Sequence, residues 1–188
     1  MNSPFSQSRT AFRSVSLGGA LAFAFALRLT AAEQPSLDAH LESLRPLLGK
    51  TWRGEFKNST PEKPVVDIAR WERVLNGQAV RVMHSINQGV YGGETLIYWS
   101  KEKGGIVYRY FTTDGDETAG TMTFEGAKFT SSEKVLGSAG GVTEVKAVGE
   151  IRADGTYTVS AEYLKDGKWA PGHAATYRED SKAEVVFK

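Results

Sequence analysis

The sequence predicts an all-β chain: an up-and-down antiparallel β-barrel of about ten strands, preceded by one short N-terminal α-helix. Three observations predict it. From Thr51 onward the hydropathy alternates with period two, as in Trp52/Gly54/Phe56, Val80/Val82/His84/Ile86 and Tyr157/Val159/Ala161/Tyr163, and that alternation gives a strand two distinct faces. Turn dipeptides recur every 10–16 residues, at Asn76-Gly77, Gly92-Gly93, Gly104-Gly105, Asp114-Gly115, Glu125-Gly126, Gly140-Gly141, Asp154-Gly155 and Asp166-Gly167, and such dipeptides supply the positive backbone angles of tight hairpins. No helical period interrupts the series. About ten hairpin-linked strands in one open sheet would leave two unpaired edges, and closure removes both.

The elements follow in order. Residues 1–32 hold Arg9 and Arg13, an apolar run from Val15 to Leu27, and the small exit Thr30-Ala31-Ala32. This is the pattern of a secretory signal peptide cut after Ala32, and it predicts an exported, periplasmic or secreted protein. The run is too short for a bilayer span, which needs roughly 20 residues, so no stable membrane insertion is expected after cleavage. The whole chain of 188 residues carries +1; without residues 1–32 it carries 20 basic and 22 acidic residues. Neither balance suggests a nucleic-acid partner. The chain has no Cys, which excludes disulfides, thiol catalysis and Cys-ligated zinc. Residues 33–188 read as one domain. Leu37, Leu41, Leu44, Leu47 and Leu48 make one helical face, with Ser36 as its N-cap and Gly49 as its end. The predicted strands then include Thr95–Trp99, Ile106–Thr112, Gly120–Phe124, Thr143–Ile151 and Tyr157–Leu164.

A helix, then Gly49-Lys50-Thr51-Trp52-Arg53-Gly54, then a hairpin meander resembles the calycin group, which includes the lipocalins and the bacterial lipocalin-like proteins gathered as domain of unknown function 1579. Arg70–Val80 resembles the second hairpin of that bacterial family, and Trp169 with Thr176-Tyr177-Arg178 resembles its last strand. The resemblance implies the barrel fold, and it implies that Trp52 and Arg178 form a latch, a guanidinium stacked on an indole at the barrel floor. Such a contact is worth about 0.5–2 kcal/mol. A second resemblance is to the nitrobindins, ten-stranded haem barrels with a His ligand near the last strand; it implies haem held by His173, in Gly172-His173-Ala174.

The chain has three His, at 40, 84 and 173, with no spacing for a tight zinc site. His40 lies off the Leu face of the helix and is expected in solvent. His84 shares a face with Val80, Val82 and Ile86, so it is either a hydrogen-bonded core residue or a polar group inside a ligand cavity. Ser85 points to the opposite face and cannot join it in a nucleophilic site. Trp99, Tyr108 and Tyr110 lie on neighbouring strands; they line a cavity or fill the core. The leading expectation is a carrier or sensor of a small apolar or amphipathic ligand, with no cofactor and with His84, Trp99, Tyr108 and Tyr110 lining the pocket. The other readings are a haem protein using His173, an enzyme with His84 as acid or base, and a filled barrel that acts as an interaction module.

Overall fold

A computed structural model describes residues 35–136 and 140–188. The predicted leader over 1–32 lies outside the described residues, as do Gly137-Ser138-Ala139. Ten strands follow one another: β1 (Thr51–Phe56), β2 (Val66–Val74), β3 (Ala79–Ile86), β4 (Tyr91–Ser100), β5 (Gly105–Thr112), β6 (Glu117–Glu125), β7 (Lys128–Val135), β8 (Val142–Ile151), β9 (Tyr157–Lys165) and β10 (Lys168–Glu179). Each pairs antiparallel with the next, and β1 pairs with β10 from Trp52 opposite Glu179 to Phe56 opposite Ala175, which closes the barrel. The predicted fold class is therefore the observed one.

The helix differs in kind from the prediction. It is a 3-10 helix over Ala39–Leu47, and its N-cap is Asp38, not Ser36; the Asp38 carboxylate accepts from the His40 N–H at 2.9 Å. Leu41, Leu44 and Leu47 are three residues apart, and in a 3-10 turn residues i and i+3 eclipse. All three therefore stack on one side and are buried to 0–1% exposure. Pro46, inside the helix, has no N–H to give an α-helical ladder. The three leucines plug one end of the barrel against Trp52, Trp71, Val80 and Ile97, each burial being worth about 1.5–3 kcal/mol. The plug is tied down by the Trp52 indole N–H donating to the Leu47 carbonyl at 3.1 Å and the Asp38 N–H donating to the Gly77 carbonyl at 2.8 Å.

Gly92-Gly93 is not a turn. The β3–β4 turn lies at Asn87–Val90, with positive φ at Asn87, Gln88 and Gly89. Gly92 and Gly93 sit inside β4 because a Cβ there would come within 2.4 Å of the His84 carbonyl oxygen and 2.2 Å of the Phe111 carbonyl oxygen. Two stretches of strand carry little sequence signal: Val66–Ala69, and β7, where Ser131 and Glu133 take inward positions between Phe129 and Val135. Polar residues on the inner face erase the alternation that marks a strand. A register shift falls at Pro171–Ala174 of β10, a bulge at a residue that cannot donate to the ladder, and it sets the position of His173.

After β10 the chain turns back along the outer wall. The Val186 N–H donates to the Ser85 hydroxyl at 3.1 Å, and Ser85 is 1% exposed. Ser85 faces away from the barrel interior, as alternation with His84 requires. Elsewhere on the outer wall Glu72 pairs with Arg70 and Arg81, and the Arg81 bond holds the Glu72 carboxyl below its ordinary value.

Candidate functional site

The inner faces of the strands enclose a cavity of about 440 Å³. It begins below the leucine plug, at Trp71 and Tyr157, and reaches the opposite strand ends at Phe56, Ile86, Tyr91 and Thr112. The barrel is thus not filled by its own side chains.

Three polar groups face this space. The first centres on His84. Its Nδ1 lies 2.9 Å from Asp67 Oδ1, its Nε2 lies 2.8 Å from the Tyr110 hydroxyl, and that hydroxyl is bonded to the Tyr91 hydroxyl at 3.1 Å. The Tyr177 hydroxyl donates to the other Asp67 oxygen at 2.8 Å. The register explains the pair: Asp67 on β2 lies opposite Ile86 on β3, two residues along the same inner face from His84. Asp67 is 4% exposed, so its carboxylate is kept buried by these two partners. Tyr177 also stacks flat on Tyr157, with centroids 4.4 Å apart and planes at 1°. Burial pushes the Tyr110 phenol well up, so it stays protonated near neutrality.

The second group is Glu133 on β7. The Thr118 hydroxyl donates to it at 2.7 Å, and the Tyr108 hydroxyl bonds it as well. Burial pushes the Glu133 carboxyl up, partly offset by those two bonds. Among the described residues it has no ion-pair partner. A carboxyl that holds its proton to higher pH in the folded state contributes fully below its unfolded value, about 4.3, and loses that contribution as pH rises through its folded value. Glu133→Gln, which keeps the size and the hydrogen bonds, is therefore expected to be more stable than the native chain at pH 8, by about 1 kcal/mol, with the gap narrowing by pH 4.5. Urea unfolding at the two pH values measures it; a gap independent of pH would show that Glu133 is not held out of solvent.

The third group is His173. The Tyr163 hydroxyl bonds its Nδ1 at 2.6 Å, and Phe56 stacks on its ring at 5.3 Å. Gly172, in the bulge, packs so near the Tyr163 ring that a Cβ would come within 2.8 Å of it. Burial pushes the His173 proton affinity down, so the ring is neutral at physiological pH.

Of the predicted pocket residues, the structure brings His84, Tyr108 and Tyr110 to the cavity. His84 is hydrogen-bonded and cavity-facing at once, and both its ring nitrogens are committed to protein partners. Trp99 is elsewhere: it lies at the plugged end, where its ring stacks on His40 at 3.7 Å and 8°. β4 runs from the open end at Tyr91 to the helix at Ser100, so a residue near its C-terminus meets the plug. His40, expected in solvent, therefore has one ring face covered. The proposed latch is also corrected. Arg178 is exposed on the outer face between inward Tyr177 and the strand end, and the cation over the Trp52 ring is Lys50, with Nζ 5.4 Å from the centroid. Trp52 itself is 2% exposed and edge-on to Tyr157. Sequence reasoning missed Asp67, Glu133, Tyr91, Tyr163 and Tyr177. For Asp67 and Glu133 alike, a polar residue on the inner face of the strand hid the signal.

No helix among the described residues is long and apolar enough to cross a membrane. No family model matches the chain, and no curated protein matches it. Among solved structures the chain is similar to the crystal structure of Rv2717c from M. tuberculosis, with a TM-score of 0.58 and 14% sequence identity over 77% of this chain and 99% of that one. At that identity the likeness shows a shared fold.

Proposed function

We propose that this chain is an exported, calycin-like carrier or sensor that holds a small apolar or amphipathic molecule inside its barrel. The observation that carries the reading is the cavity of about 440 Å³, walled by aromatic and aliphatic side chains with a few fixed polar groups. Ligand sites are typically concave spaces of about 300–1,000 Å³ with that composition. His84, pinned between Asp67 and Tyr110, orients the tyrosine hydroxyls at one wall and so sets where a ligand's polar end can bond. The full chain, expressed with its leader and purified from the exported fraction, tests the reading by native mass spectrometry. The expected result is a first residue of Glu33 and a bound small molecule released on denaturation. A ligand-free mass, together with no change in tryptophan fluorescence on adding apolar compounds, would overturn it.

A second reading, haem, is favoured by His173, which lines the cavity with its Nδ1 bonded to the Tyr163 hydroxyl. Against it, no Lys or Arg lines the cavity among the described residues to pair with propionates. In the same preparation, a Soret band on adding haem that disappears in His173→Ala would move the conclusion to haem.

A further inference from the structure

The charges around the cavity are of one sign. Asp67, Asp116 and Glu133 line it, and no Lys or Arg does among the described residues. A pocket for a fatty acid or another anion needs the reverse, because a carboxylate beside Glu133 would be repelled and would find no cation to pair with. Glu133 already has two neutral donors, Thr118 and Tyr108, but no counter-charge. A carboxylate left in that state is costly, and a cationic partner is what would offset the cost. The aromatic composition points the same way. Tyr91, Tyr108 and Tyr110 face the same space as Glu133, and the negative faces of aromatic rings attract cations, ammonium groups among them. Their hydroxyls supply acceptors for N–H donors.

Resting on the cavity reading above, we propose that the ligand is a small organic cation: a protonated amine with an apolar body, its ammonium paired to Glu133 within the tyrosine wall. The apolar body lies toward Trp71 and Val82, deeper in the barrel. Asp67 and Glu133 differ in role. Asp67 is engaged by His84 and Tyr177 and holds the wall in place. Glu133 meets the ligand.

Three compounds with one hexyl body separate the possibilities: hexylammonium, hexanol and heptanoate, titrated calorimetrically at pH 7 into the protein purified from the exported fraction. Hexylammonium is expected to bind about tenfold or more tighter than hexanol, the scale of one charge-assisted hydrogen bond, with heptanoate weakest. In Glu133→Gln the amine should lose that advantage over hexanol. Heptanoate binding as tightly as hexylammonium overturns the proposal, and so does an amine advantage that survives in Glu133→Gln. Hexanol binding without any preference for the amine removes this inference and leaves the cavity reading standing. Failure of all three compounds to bind removes both.

Discussion

Trp52→Ala is expected to destabilise the protein by about 3–5 kcal/mol, the range for removing a buried aromatic side chain, while Arg178→Ala is expected to cost less than about 0.5 kcal/mol, as for an exposed position. The contrast is large because the two residues, paired in the sequence reading, do different things. Trp52 is buried under the leucine plug, donates its indole N–H to the Leu47 carbonyl, and packs edge-on against Tyr157. Its removal takes away the seat of the helix and one wall of the Tyr157–Tyr177 stack. Arg178 points outward from β10. Urea or guanidinium unfolding of the two variants decides between the arrangements. Equal losses in both would restore the latch. Lys50→Ala should behave like Arg178→Ala, since a cation 5.4 Å from the Trp52 centroid at a partly exposed site contributes about 0.5–1 kcal/mol at most.

Asp67→Ala is expected to cost about 2–5 kcal/mol, because it orphans two buried partners at once, each worth about 1–3 kcal/mol. The His84 Nδ1 and the Tyr177 hydroxyl both depend on this carboxylate. Tyr177→Phe removes only one bond and should cost about 1 kcal/mol, with the stack on Tyr157 retained. Unfolding measurements on the single variants and on the double variant give the coupling between them. The loss should also be felt in the site, since His84 is what holds the Tyr110 hydroxyl in place. A loss below about 0.5 kcal/mol for Asp67→Ala would mean that the polar wall does not depend on its buried carboxylate.

Much of this was legible from residues alone. Period-two alternation and turn dipeptides such as Asp166-Gly167, where both residues adopt positive φ, specify strands and hairpins through local backbone preferences. Which face of β5 turns inward was not settled by the residues; the structure turns Arg109 outward, where it bonds Glu117, and so turns Tyr108 and Tyr110 into the barrel. The less legible parts share a cause. Where the inner face is polar, as at Ser131 and Glu133, hydropathy no longer tells inside from outside. Where glycine serves close packing and not a turn, as at Gly92 and Gly93, composition misleads in the other direction. The three-residue spacing of Leu41, Leu44 and Leu47 was present in the sequence, yet within a longer leucine set that also fits an α-helical face.

What the sequence by itself determined is therefore the all-β class, the strand order and which residues share a strand face, since each depends on neighbours along one strand or across one hairpin. Only the tertiary structure decided which end of each strand meets the plug, and so why Trp99 stacks on His40 while Tyr110 meets the cavity. It also brought Asp67 to His84, Tyr177 to Asp67 across 110 positions of sequence, and Glu133 into the space that all of them face. Those contacts arise from closing β1 onto β10 and from the diameter of the barrel, which depend on the whole set of strands and not on any one of them.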